Sequence, residues 1–317
     1  MALFQRLNSK SIPIINSGFG SNATSNGKRF LNKDGNARVK RLGLSFFESK
    51  SWYHTLLDLP SWKFLGLLLL FYMGINFVFA CLYFAIGIEH LNGIATTQSR
   101  WEQFGQAYFF SAQTFTTVGY GHISPVGFLT SSLSAAEALI GLLSFAIATG
   151  LFFGRFSKPK IYLKFSDNVI IAPYQNGTAL MFRLAPYKNT NYLDTEVNVT
   201  LGLSIEENGV LTNKFYTLDL EISKVNTLML SWTIVHPITE KSPLYQFTEQ
   251  DFQNVQGEIL VFVKTFDDMY STTVATRTSY VFSELVFGAK FTPIFESSDK
   301  HQYTLIHLDA LSDYKKI

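Results

Sequence analysis

Thr116-Thr117-Val118-Gly119-Tyr120-Gly121 decides the reading of this 317-residue chain. In a TVGYG loop, successive backbone carbonyls turn inward and replace an ion's hydration shell, the arrangement that carries potassium through a membrane; its glycines permit backbone angles closed to other residues. The chain holds one such loop. A ring of carbonyls around an axial ion needs several copies, so the sequence predicts a homotetramer. Thr117, Val118, Gly119, Tyr120 and Gly121 of each copy would line a filter on the four-fold axis, with K+ held by filter carbonyls and no other cofactor.

Apolar spans flank the loop on both sides. Phe64 to Ile88 is about 25 residues without a charge, longer than the roughly 20 that cross a hydrocarbon core as a helix. The second span, about 128–153, carries one ionisable residue, Glu137. Lys and Arg crowd before the first span (Arg38, Lys40, Arg41, Lys50, Lys63) and after the second (Arg155, Lys158, Lys160), whereas Arg100 alone lies between. This asymmetry predicts a multi-pass protein of the cell (inner) membrane with both termini cytoplasmic. Residues 104–114 are apolar and aromatic and run straight into the filter, as a half-helix aiming its negative dipole end at the cation would.

The formal charge of +2 hides the asymmetry and, with no helical basic stripe or stacking platform, predicts no nucleic-acid partner. Cys81, the one cysteine, sits inside the first span, so neither an intrachain disulfide nor a structural metal is expected. Residues 45–62 hold Phe46, Phe47, Trp52, Tyr53, Leu56, Leu57, Leu59 and Trp62 among polar residues, which suits a short amphipathic helix at the membrane surface; Pro60 and an irregular spacing leave an ordinary linker as the alternative. Beyond Lys160 come short runs rich in Val, Ile, Thr, Phe and Tyr, near 160–165, 168–173, 178–184, 195–205, 215–222, 227–236, 257–266, 271–282 and 302–309. Their density predicts an antiparallel β-sandwich. The domains expected are an N-terminal cytoplasmic tail (1–44) with a disordered stretch around 17–27, an interfacial slide helix (45–62), a transmembrane pore domain (63–156, pore helix and filter 104–121) and a cytoplasmic β domain (157–317).

This pattern resembles the inward-rectifier potassium channel family, in particular its prokaryotic (KirBac-like) branch. Besides the filter, the resemblance rests on Leu31-Asn32-Lys33-Asp34-Gly35, Arg41-Leu42-Gly43-Leu44, Ser111-Ala112-Gln113-Thr114, Arg155-Phe156-Ser157-Lys158-Pro159-Lys160, Ser231 to Ile238, Ser242-Pro243-Leu244-Tyr245 and Arg277-Thr278-Ser279-Tyr280. It implies an α-helical two-span membrane pore with a re-entrant pore helix and filter, joined to a cytoplasmic all-β immunoglobulin-like sandwich. It also implies a passive, potassium-selective channel whose gate lies at the inner crossing of the second spans and responds to anionic lipid. Many animal relatives brace the filter with an acidic pore-helix residue and an Arg just beyond it; Gln113 and a non-basic stretch stand here instead.

Glu137 therefore reads as filter support with Gln113, accepting hydrogen bonds from the pore-helix end or a neighbouring subunit; a protonated space-filling carboxyl is the other reading. Gly141, Phe145, Thr149 and Phe153 recur every four residues, and the family register turns them to the pore, with Phe153 at the gate. Phe145 replaces the acidic residue of strong rectifiers. Gly141 and Gly150 would allow bending. Lys63, Arg155, Lys158 and Lys160 form a juxtamembrane cluster suited to anionic lipid headgroups. Asp268 aligns with an acidic position of the cytoplasmic pore, and Glu206 and Glu207, beside a turn, are weaker candidates. His122, directly after the filter, is a possible extracellular pH sensor or incidental. Two other functions compete: a two-span potassium channel gated by a small ligand on the β domain, and a membrane-anchored enzyme, which leaves the filter unexplained and for which no nucleophile, base and orienter come together.

Overall fold

A computed structural model describes residues 12–13, 29–40, 42–43, 45, 51–95, 99–207, 210–297 and 304–317. The chain forms two compact units, Leu42–Lys158 and a second that joins Met1–Arg41 to Pro159–Ile317.

In the first unit, α1 (Trp52–Asp58) begins at Ser51, whose Oγ accepts the His54 N–H at 3.5 Å, and ends before Pro60. The sequence places one helix over 45–62; the described part of that stretch is helical over 52–58 and broken at Pro60. Phe46 and Phe47 lie outside the described residues, and Trp62 already belongs to α2 (Ser61–Ile86). α2 and α4 (Phe128–Phe156) hold 26 and 29 residues. At about 1.5 Å per residue each is long enough to cross a hydrocarbon core of roughly 30 Å. Leu69, Leu70, Phe71, Leu129, Leu142 and Phe153 are exposed on the single chain. So much apolar surface requires lipid or neighbouring copies to cover it. α4 outruns its expected end by three residues, because the ladder continues to the Ser157 N–H on the Phe153 carbonyl at 2.9 Å.

Between them lies α3 (Arg100–Phe115), packed through Ala107 and Phe110 on Phe79, Ala80 and Tyr83 of α2. It starts four residues before the expected 104. Two short strands, β1 (Leu91–Asn92) and β2 (Ser124–Pro125), pair antiparallel and close the loop that contains α3 and Thr116–Gly121.

The second unit is a sandwich. One sheet orders β11 (Thr272–Val281), β10 (Gln256–Asp267), β6 (Tyr192–Glu207) and β7 (Val210–Thr217), with β8 (Lys224–Leu228) on the far part of β6. The other orders β12 (Leu285–Phe287), β4 (Val169–Tyr174), β5 (Gly177–Pro186) and β3 (Leu163–Phe165), with β9 (Trp232–Pro237) on β5. Alternation along β6 builds the core: Val197, Val199, Leu201, Leu203 and Ile205 point inward onto Leu180, Phe182 and Leu184 of β5. The run 227–236, read as one strand, is two strands on different sheets. Leu228, Met229 and Leu230 run apolar into the crossover, and Ser231 alone does not mark a change of sheet.

Two of the stretches that carry the family resemblance meet in this unit. Ser279 Oγ donates to the Leu31 carbonyl at 2.7 Å and Thr278 Oγ1 to the Lys33 carbonyl at 3.1 Å. The buried Glu258 carboxylate accepts the Phe30 and Leu31 N–H groups at 2.5 and 3.1 Å. Residues 29–38 thus pack with the β domain, while the expected disordered stretch at 17–27 lies outside the described residues. His236, of the Ser231 to Ile238 stretch, is buried with its ring nitrogens 2.6 Å from the Asp219 carbonyl and 2.8 Å from Ser242 Oγ. Burial holds its pKa below the ordinary value.

Candidate functional site

The last turn of α3 feeds its own carbonyls back to the loop. Thr116, Val118 and Thr117 donate backbone N–H groups to the Ala112, Gln113 and Thr114 carbonyls at 3.2, 2.9 and 3.1 Å. These amides are held on the helix side. No hydrogen bond of the described residues ends on a carbonyl of Thr117–Tyr120. Thr117, Gly119 and Gly121 have φ of 57°, 54° and 78°, while Val118 and Tyr120 between them keep negative φ. Alternating the hand of successive residues swings their carbonyls to one side, which makes a ladder of acceptors for a cation. Sequence reasoning placed Thr117 in the loop but expected left-handed angles only of the glycines; Thr117 is a β-branched residue in a region such residues rarely occupy. Its strain is local and is held by the amide bonds on either side.

Behind the loop, α4 meets α3 at two points one turn apart. Glu137, fully buried, has Oε1 in close hydrogen-bond contact with Ser111 Oγ and accepts from Tyr83 Oη on Oε2 at 2.6 Å. One turn on, Gly141 lies against Phe115; a Cβ there would stand 2.0 Å from the Phe115 carbonyl oxygen. Ser111, rather than the helix end, faces Glu137, and the half-buried Gln113 has its carbonyl taken by Val118. Tyr83 and Asn76 were invisible to sequence reasoning, since polar groups within an apolar span give no sign of which face they occupy.

The four-residue series along α4 divides. Phe145 and Phe153 are each 73% exposed on the single chain and Thr149 is exposed, whereas Gly141 is buried against α3. Each four-residue step turns a helix by about 40° beyond a full circle, so Gly141 and Phe153 differ by roughly 120° in direction. Gly141 backs the loop through Phe115, and the face it shares with Phe145 has turned well away by Phe153. The space beneath α3, between α2 and α4, is an apolar cavity of about 740 Å³ bounded by Tyr72, Phe115, Gly141 and Phe145.

At the other end of α4, Arg155 is occupied. Its guanidinium donates to the carbonyls of Leu56 (2.7 Å), Leu57 (3.0 Å) and Leu59 (2.6 Å) and lies 4.4 Å from the centre of the Phe64 ring. It thereby caps the last turn of α1, whose orphan carbonyls need donors and whose dipole favours a cation. Lys158 pairs with Asp58, holding that carboxyl below its usual range. Lys63 rests 5.2 Å from the Trp62 ring centre, and Lys160 is exposed. Arg155, Lys158 and Lys63, read as one cluster with Lys160, thus meet different groups in the single chain.

In the β unit, Asp268 is exposed in the β10–β11 turn, with its N–H on the Asn191 carbonyl at 3.3 Å. Its neighbour Asp267 is buried and shapes the turn, its Oδ1 accepting the Met269 N–H at 3.0 Å. Glu206 and Glu207 end β6, and their side chains lie outside the described residues. His122 is exposed after the filter.

Two family models match the chain. One describes the inward rectifier potassium channel C-terminal domain and matches residues 163–316; the other describes an ion channel and matches residues 67–158. Inward rectifier potassium channel Kirbac3.1 of Paramagnetospirillum magnetotacticum is 34% identical over 84% of this chain and 89% of its own length. G protein-activated inward rectifier potassium channel 2 of Pongo abelii is 25% identical over 86% of this chain and 69% of its own length. Inward rectifier potassium channel irk-1 of Caenorhabditis elegans is 26% identical over 58% of this chain and 36% of its own length.

Proposed function

We propose how this chain, which belongs to the inward rectifier potassium channel family, conducts its ion: as a homotetramer in the cell (inner) membrane, with both termini cytoplasmic and Thr117–Gly121 of four copies forming the filter. As a member of that family it is an ion channel and not an enzyme. The observation that carries the filter assignment is the alternating backbone at 117–121, whose unoccupied carbonyls suit a dehydrated cation. Ser111, Glu137 and Gly141 support the loop from behind. Phe145, Thr149 and Phe153 line the ion path, and four Phe153 rings close it by excluding water. Asp268 contributes negative charge at the cytoplasmic entrance.

Gating responds to anionic lipid through Lys63, Lys158 and Lys160, each worth about 1 kcal/mol near an anionic surface. The Lys158–Asp58 pair is exposed, so an anionic headgroup can exchange for the carboxylate at little cost. Arg155 has a different task. Its fork ties α1 to α4, so that a shift of the surface helix moves the gate.

Ion flux through purified protein in liposomes of graded anionic content tests both assignments. Phe153→Ser is expected to raise flux at every lipid composition; flux equal to the parent's throughout would make Phe153 a packing residue. Arg155→Lys keeps the charge but has one nitrogen where the guanidinium reaches the three carbonyls from two, so it should alter flux as strongly as Arg155→Ala. A lysine variant that behaves as the parent would return Arg155 to the lipid-binding cluster.

A further inference from the structure

Four polar side chains meet behind the filter in complete burial: Asn76 and Tyr83 from α2, Ser111 from α3 and Glu137 from α4. Their hydrogen bonds do not close if Glu137 is ionised. Ser111 Oγ lies 3.0 Å from Asn76 Oδ1 and in close contact with Glu137 Oε1, two oxygens, and a hydroxyl has one proton. Turning the Asn76 amide over gives no relief. Its Nδ2 donates to the Tyr72 carbonyl at 2.6 Å, and the flipped amide would set two acceptors face to face. The Tyr83 phenol already gives its proton to Glu137 Oε2 at 2.6 Å. One donor is missing, and the helices that face Glu137 bring to it a hydroxyl and a phenol, with no ion pair to it among the described residues.

We infer that Glu137 carries the missing proton: its carboxyl donates to Ser111 Oγ, Ser111 donates to Asn76 Oδ1, and this neutral chain fixes α3 and the loop that follows it. Every polar atom in the contact then has a partner of the right kind, and no bare charge is buried. Asn76, Ser111, Glu137 and Tyr83 are positioning residues, and they join both spans to the pore helix without a cation. The positioning role rests on Thr117–Gly121 being the ion path; the protonation state does not.

The test is an infrared difference spectrum of parent against Glu137→Gln in lipid membranes at neutral pH, combined with potassium and sodium flux. A protonated-carboxyl C=O band, sensitive to deuterium and absent from the variant, is expected. Glu137→Gln should retain the preference for potassium, because an amide can donate to Ser111 and accept from Tyr83. Glu137→Ala should lose about tenfold in that preference, the scale of leaving buried partners unmet. A difference confined to carboxylate bands would overturn the assignment of the proton. With the acid band present, full selectivity in Glu137→Ala would overturn the positioning role. If Glu137→Gln fails to assemble, Ser111→Ala decides: the acid band must shift when its acceptor is removed, and an unmoved band would sink the chain. Failure of the filter assignment is read separately, from filter variants whose selectivity is unchanged.

Discussion

Gly119→Ala channels are expected to lose most of their discrimination between potassium and sodium. Gly119 has φ of 54°, and nothing lies within 4 Å of where its Cβ would stand in one chain. The penalty is therefore backbone strain. An L-residue in the left-handed region costs roughly 1–2 kcal/mol, and a tetramer incurs it in all four copies around one ion. Relief comes by rotating the 119 peptide, which turns its carbonyl away from the ion path. Thr117 already carries such strain, so the loop has little tolerance left. Flux of each cation, measured on parent and variant in the same liposomes, checks this. A variant that keeps the parent's potassium preference would place the ion path elsewhere.

Gly141→Ala is expected to be the most damaging conservative change in α4. Its Cβ would meet the Phe115 carbonyl oxygen at 2.0 Å and the carbonyl carbon at 2.8 Å, both main-chain atoms that no rotamer change can clear. Overpacking of this kind costs about 1–3 kcal/mol, more where backbone must move, and the backbone in question leads directly into the filter. Gly150→Ala is the control. No atom lies within 4 Å of its Cβ, so gaining helix propensity there should cost nothing in one chain. Thermal unfolding and potassium flux of the two variants should diverge, with Gly141→Ala losing both and Gly150→Ala stable. Equal behaviour would mean that α3 and α4 do not meet as closely as Gly141 and Phe115 indicate.

The positive-φ glycines of the 116–121 loop, both spans and the β-sandwich were legible in the sequence because each depends on a local pattern. Carbonyl ladders need glycines, membrane spans need uncharged length, and strands show alternation. What escaped was set by contacts between distant segments. Nothing about Arg155 in the sequence says that its guanidinium meets the end of α1, and a run of Lys and Arg reads the same whether it faces lipid or backbone carbonyls. Gly141 looked like a member of the Phe145, Thr149 and Phe153 face because a four-residue spacing drifts only slightly per step. Over three steps the drift is large enough to move it onto α3. Glu137 was marked by its charge alone; Ser111, Tyr83 and Asn76, the residues that give it partners, are unremarkable until the helices are packed. The crossing from β8 to β9 was hidden for the same reason, since Leu228, Met229 and Leu230 run apolar into it and a single serine carries no record of a change of sheet.

The central claim is that four copies of Thr117–Gly121 form one potassium-selective path. It is tested most directly by reconstituting, in liposomes of defined lipid, the purified fraction whose protein mass equals four 35.8 kDa chains, and comparing the flux of potassium with that of sodium. Potassium flux well above sodium flux is predicted. Equal flux of the two ions through that fraction in every lipid composition, or selective flux from a fraction of single chains, would contradict it.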